Sequence, residues 1–152
     1  MPDTILAEIM KDQFHSAFGI LAGSIPTFTP EEWRTGRSPF DGPARCVAHV
    51  LQCAEYYTCS DRAVFASFGK PIWEMAEDDL PSQQDMAEYL ERTRAMTDAW
   101  IDEVATIGFD QPSGTDNALG LARVTYALRH LQHHTGEACA YQKQFNHPQE
   151  QW

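Results

Sequence analysis

Basic residues are scarce in this chain, with 11 Lys and Arg against 22 Asp and Glu and a net charge of −11. Such a chain repels nucleic-acid phosphates and anionic lipid surfaces, so neither is an expected partner. Long apolar runs are missing too. Nothing approaches the roughly 18–20 consecutive residues of a membrane span, and Met1-Pro2-Asp3-Thr4 lacks the basic start and apolar run of a secretory signal. The expectation is a soluble cytoplasmic protein. Cysteine is sparse, and Cys46, Cys53, Cys59 and Cys139 form no C-x-x-C pair. That excludes a zinc ribbon or a disulfide scaffold and leaves reduced thiols packed as small apolar side chains. Strand-like alternation and fixed-period repeats are also absent, so a sheet protein and a solenoid are both unexpected.

What the sequence does have is helical periodicity. Across residues 4–25, Leu6, Met10, Phe14, Ala17, Leu21 and Ile25 recur every three or four positions, and Pro26 stops the pattern. Residues 27–42 hold Pro30, Gly36, Pro39 and Gly42 and read as a long connection, pinned by Trp33 and Phe40. A second helix starts near Pro43 and carries Val47, Val50, Leu51, Ala54 and Tyr57 inward, with His49 among them. Cys59-Ser60-Asp61 breaks or kinks it before a further helical piece over 62–68. Residues 70–81 form a solvated loop with Trp73 and the acidic cluster Glu74, Glu77, Asp78 and Asp79. Ser82-Gln83-Gln84-Asp85 is a helix-start box followed by Met86, Tyr89, Leu90, Thr93, Met96, Trp100, Ile101, Val104 and Ile107. After a turn over Gly108, Pro112 and Gly114, Asp116 or Asn117 caps a last helix running to about Phe145. Four long helices in 152 residues predict one all-α domain, a four-helix bundle spanning 1–152.

The chemistry concentrates in the last helix. His130 and His134 are four residues apart, so they share a face and can turn toward one cation. His133 lies about 60° from His130 and about 100° from His134, which suits a rim position or a substrate contact. Leu119, Tyr126, His130, His134 and Tyr141 share a stripe flanked by Leu121, Leu128, Leu131 and Ala138, so the histidines are expected in the core. Buried imidazoles need partners, and a shared metal ion answers for two at once. His49 is the candidate third ligand; His15 and His147 are the alternatives in weaker settings. Three imidazoles suit Zn, Ni, Fe or Cu, and such a site keeps open positions. A closed alternative adds Cys53, one turn after His49, to give a structural Cys-His₃ zinc. Glu137 can orient a ligand imidazole or serve as a base toward bound water. Gly136 would let a neighbouring helix or ligand come close, and Tyr56, Tyr57, Tyr126, Tyr141 and Arg129 are candidate pocket residues.

Ala48-His49-Val50-Leu51-Gln52 together with Arg129-His130-Leu131-Gln132-His133-His134-Thr135-Gly136-Glu137 resembles the DinB-like (YfiT-like) metalloprotein superfamily, in length and helix order over essentially the whole chain. The resemblance implies an up-down-down-up four-helix bundle whose triad, carried over as His49, His130 and His134, binds a divalent metal, commonly Ni or Zn. It also implies frequent homodimers, and relatives that are thiol-dependent transferases or isomerases using bacillithiol, mycothiol or glutathione, or metal-dependent hydrolases. Glu137 stands where Gln is frequent in that family. The expected function is therefore a metal-dependent thiol S-transferase or hydrolase acting on a small molecule. Glu137 would be its catalytic group, and His133 and Arg129 would bind a thiol cofactor or substrate. The other readings are a non-enzymatic stress-response bundle with a structural metal, and a helical interaction module with none.

Overall fold

The computed structural model describes residues 2–36, 41–58, 68–114 and 117–149. Its helices are α1 (Asp3–Ser24), α2 (Pro30–Trp33), α3 (Pro43–Thr58), α4 (Gln83–Ile107) and α5 (Gly120–Gln144). Among the described residues there is no strand, only an isolated bridge between Pro112 and Leu119. The architecture is all-α, and no described helix is long and apolar enough to cross a membrane.

The predicted apolar rows become the core. Met10, Phe14, Ala17 and Leu21 of α1 meet Val47, Val50 and Leu51 of α3 and Met86, Tyr89, Leu90 and Ile101 of α4 in one buried cluster. α1 packs on α4 and α5, and α3 packs on the same two helices from elsewhere. Contacts between helix ends fix the arrangement. Asp3, which opens α1, accepts from the Phe109 amide just past α4, while the Gln83 side chain at the start of α4 donates to the Ile25 and Phe28 carbonyls beyond α1. At the start of α3, the Gly42 amide donates to the Tyr141 hydroxyl near the end of α5 at 2.9 Å.

The long first connection is more structured than its composition implied. Thr29 and Glu32 form a capping box that starts α2 after Pro30 takes its first position. Trp33 is buried and its indole donates to the Pro81 carbonyl at 2.9 Å, so it pins the segment as expected. Phe40, the break at 59–61, most of the 62–68 piece and Asp116 lie outside the described residues. The 70–81 segment holds two short 3₁₀ turns, Ile72–Glu74 and Glu77–Asp79, and its acidic side chains face solvent. Its backbone is tied down from within α3. The buried Arg45 donates to the Ile72 and Met75 carbonyls, and Gln52 bridges the Lys70 carbonyl and the Ile72 amide.

Two expectations fail on the last helix. Asn117 does not cap it: Asn117 has φ 56, and α5 opens at Gly120 with no side-chain cap. The loop backbone does the work instead, as the Gly120 and Leu121 amides donate to the Gln111 and Phe109 carbonyls, each at 2.9 Å. The core stripe is also rotated from its expected place. Leu119, Leu121 and Tyr126 are exposed at 49%, 41% and 47%, and the inward row is Val124, Ala127, Leu131, Thr135, Ala138 and Gln142. The inward row holds mostly small and mid-sized side chains, while Leu119, Leu121 and Tyr126 lie outside it. His130 and His134 sit one position round from that row and are half-buried at its edge, not in the core.

Candidate metal centre

α3 and α5 run side by side, and three imidazoles meet in their seam. His49 is flanked on α3 by the buried Ala48 and Val50, which fixes the face it presents. His130 and His134 come from successive turns of α5. The ring centroids are 5.5 Å apart for His49 and His130, 4.7 Å for His49 and His134, and 4.5 Å for His130 and His134. A ligating nitrogen from each lies within 4.8 Å of the other two, and the His130 and His134 Nε2 atoms are 3.2 Å apart. Tetrahedral zinc with bonds of about 2.0–2.1 Å holds its nitrogens about 3.3 Å apart. The donors are thus placed to hold one divalent ion with modest side-chain adjustment.

The electrostatics fit the same task. Burial first, and then the neighbouring His134, holds His49 down at about 4. His130 is held down to about 4 by burial and the surrounding imidazoles. Both rings are neutral at physiological pH, which is the form that ligates. Glu137 Oε2 lies 2.6 Å from His134 Nδ1. A carboxylate there accepts, so Nδ1 carries the proton and the Nε2 lone pair faces His130.

The sequence reading took Cys46 for a packing residue, and the structure gives it a second task. Its thiol lies 3.4 Å from the His134 carbonyl and 3.8 Å from Glu137 Oε2, with its single proton shared between these two acceptors. Burial, reinforced by Glu137, pushes this thiol far up, so it remains a donor. It therefore steadies the carboxylate that orients His134. The signal was spacing: Cys46 is one turn before His49, and Glu137 is one turn after His134.

No family model matches this chain, and no curated protein does. The site is therefore read from its own geometry.

Cys53 sits 3.8 Å from each ring nitrogen of His49, and burial pushes its thiol up to about 11. It does not belong to the donor groups that converge, which are His49, His130 and His134, and separately Cys46, His134 and Glu137. His15 and His147 are engaged elsewhere, with Asp98 and Glu32 at 2.8 Å each. His133 is at the rim as predicted, its side chain 67% exposed and its ring 4.9 Å from that of His134. Together with Arg129, Tyr126 and His130 it lines a cavity of about 210 Å³. Tyr57 sets its ring edge-on to His130 at 5.8 Å and to Tyr126 at 5.5 Å. Tyr141 is remote from this cavity, holding Gly42 and Asp41 at the start of α3. Gly136 admits no close neighbour, because a side chain there would meet open space.

Proposed function

We propose that the chain is a DinB-like metal-dependent enzyme of the thiol S-transferase or hydrolase type, taking Zn or Ni at His49, His130 and His134. The convergence of those three donors beside an open cavity carries the reading. The juxtaposed ends of α1 with α4 and of α3 with α5, together with Gln142 at the end of α5 donating to Thr27 just beyond α1, support the up-down-down-up bundle order that the sequence resemblance implies. A cytoplasmic setting and a homodimer belong to the same proposal.

A divalent ion held by neutral imidazoles keeps its full positive charge and lowers the pKa of a bound thiol or water to near neutrality. The chain's own residues prepare that chemistry. His49 and His130 stay unprotonated through burial, and Glu137 keeps the His134 proton on Nδ1. Tyr57 holds His130 and Tyr126 in place, and His133 and Arg129 border the cavity from which a substrate would approach. Glu137 acts behind the ligands, and its Oε1, near His133, faces the rim where it could receive a proton from a reacting group.

The competing reading is a closed structural zinc, which needs Cys53 as a fourth ligand. Cys53 approaches His49 but does not join the group in which all donors converge, which disfavours it. Metal analysis of untagged protein tests both. The expected result is one ion per chain for the wild type and for Cys53→Ser, with loss in His49→Ala, His130→Ala and His134→Ala. Loss in Cys53→Ser would support the closed site, and a wild type without stoichiometric metal would remove both readings.

A further inference from the structure

α5 carries no acidic residue from Gly120 to Gly136, in a chain whose acidic residues outnumber its basic ones 22 to 11. Within that stretch Arg129 has no carboxylate partner among the described residues. Its guanidinium stands over the Tyr126 ring, 5.2 Å from the centroid. Tyr126 is 47% exposed and lies nearly parallel to His130, with an interplanar angle of 22°. The one carboxylate of α5, Glu137, is engaged through both oxygens, with His134 at 2.6 Å and His133 at 3.4 Å. The groove over His130 is thus a positive spot on an acidic protein, floored by an aromatic ring.

We propose that this groove receives the carboxylate of a small anionic substrate, with Arg129 as the specificity-determining residue and Tyr126 as the surface on which the substrate lies. The inference rests on the metal-dependent reading above and adds a substrate class to it. Guanidinium presents a planar fork that matches the two oxygens of a carboxylate, and its stacking on Tyr126 restrains that fork before binding. A phosphate dianion offers three acceptor oxygens, whereas the groove supplies a single guanidinium. The volume is right for a small group: about 210 Å³ is roughly seven water molecules at about 30 Å³ each. A substrate reaching from His130 to Arg129 therefore carries its carboxylate a few bonds from the reacting atom.

The test uses cobalt(II)-loaded protein, because a thiolate reaching the ion gives a charge-transfer band that reports binding directly. Two probes are titrated, 3-mercaptopropionate and the uncharged 3-mercaptopropan-1-ol, against wild type and Arg129→Gln. The wild type is expected to prefer the carboxylate probe by about tenfold, the worth of one charge-assisted pair. Arg129→Gln should erase that preference while leaving cobalt stoichiometry unchanged. Equal affinities in the wild type, a preference that survives Arg129→Gln, or cobalt-loaded protein that shows no band with either probe would each overturn the proposal. Stronger competition by inorganic phosphate than by acetate would overturn the carboxylate assignment. A wild type that takes up no cobalt is a different result, since it removes the three-histidine reading itself.

Discussion

Removing the Glu137 carboxylate is the sharpest perturbation of the site, because the side chain touches a candidate ligand without being one of the three converging imidazoles. Its Oε2 holds His134 Nδ1 at 2.6 Å, fixing both tautomer and ring orientation. Losing such a partner costs about 10–100-fold in metal affinity, or about 1.4–2.8 kcal/mol. In Glu137→Ala the full effect is expected. Glu137→Gln retains a neutral acceptor worth about half a charge-assisted bond, so its affinity should fall by roughly 3–10-fold. Removing a ligand outright is worse. A four-ligand zinc site worth about 10–16 kcal/mol implies about 2.5–4 kcal/mol per ligand, so His134→Ala should lose more than either Glu137 variant. His133→Ala is the control, since the His133 to Glu137 contact is 3.4 Å between side chains 67% and 46% exposed, and such pairs contribute about 0–1 kcal/mol. Competition against a chromophoric zinc chelator at neutral pH measures all four. Two results would refute the reasoning: wild-type affinity in Glu137→Ala, or a loss as large as that of His134→Ala. The second would make Glu137 a ligand and shift the ion toward Cys46, His134 and Glu137, the other group of donors that converges.

Three further outcomes are expected. In Gly120→Ala the new Cβ would fall 2.5 Å from Val104 Cγ1 at the start of α5. Overpacking of about 1–3 kcal/mol outweighs a helix-propensity gain of at most about 1 kcal/mol, so the melting temperature should drop by about 2–4 °C per kcal/mol; a rise would show that α4 yields freely. Zinc at about 100 times its dissociation constant should stabilise the wild type by about 2.7 kcal/mol, reversibly with chelator and not at all in His130→Ala. The third concerns pH. His49 and His130 titrate near 4 when folded and near 6.5 when unfolded. As the pH falls from about 6.5 to about 4 the unfolded chain takes up protons first, so the metal-free protein loses stability across that window and gains nothing further above it. Both rings are half-buried, and solvent screening holds the effect to roughly 1 kcal/mol each. Urea midpoints of metal-free wild type should therefore fall faster over this window than those of His130→Asn, and equal slopes would count against the assigned shifts.

Helix positions were legible where the local signal and the tertiary packing agree. The Ser82 box forms as read, with Ser82 and Asp85 each capping the other's backbone amide. α3 starts at Pro43, and α4 buries Met86, Tyr89, Leu90, Trp100, Ile101 and Val104 as their spacing demands. The α5 start was misplaced because its cap is nonlocal. Nothing in Asp116 or Asn117 announces that carbonyls of Phe109 and Gln111 will satisfy the first amides of the helix. The α2 capping box escaped notice for a different reason. Thr29 to Glu32 carries the right residues, but four helical residues give no apolar periodicity to draw attention to them.

The rotation of α5 decides how the site should be understood. Ranking its faces by hydrophobicity put the stripe of Leu119, Tyr126, His130 and His134 inward, with the three imidazoles still expected to leave open positions on a metal. Packing density follows size as well as polarity, and the row that is buried is Val124, Ala127, Leu131, Thr135 and Ala138. The cost is that Leu119, Leu121 and Tyr126 face solvent. The consequence is that His130 and His134 stand at the edge of the core, where burial holds His130 in its neutral form and a cavity opens beside that ring. Spacing alone paired His130 with His134 as candidate ligands, because residues four apart on one helix share a face in any packing. Whether that face was closed or accessible depended on which neighbouring row of α5 packs inward, about which periodicity says nothing. A site at such a boundary is within reach of solvent, and that is the feature that would separate a reactive ion from one that only ties two helices together.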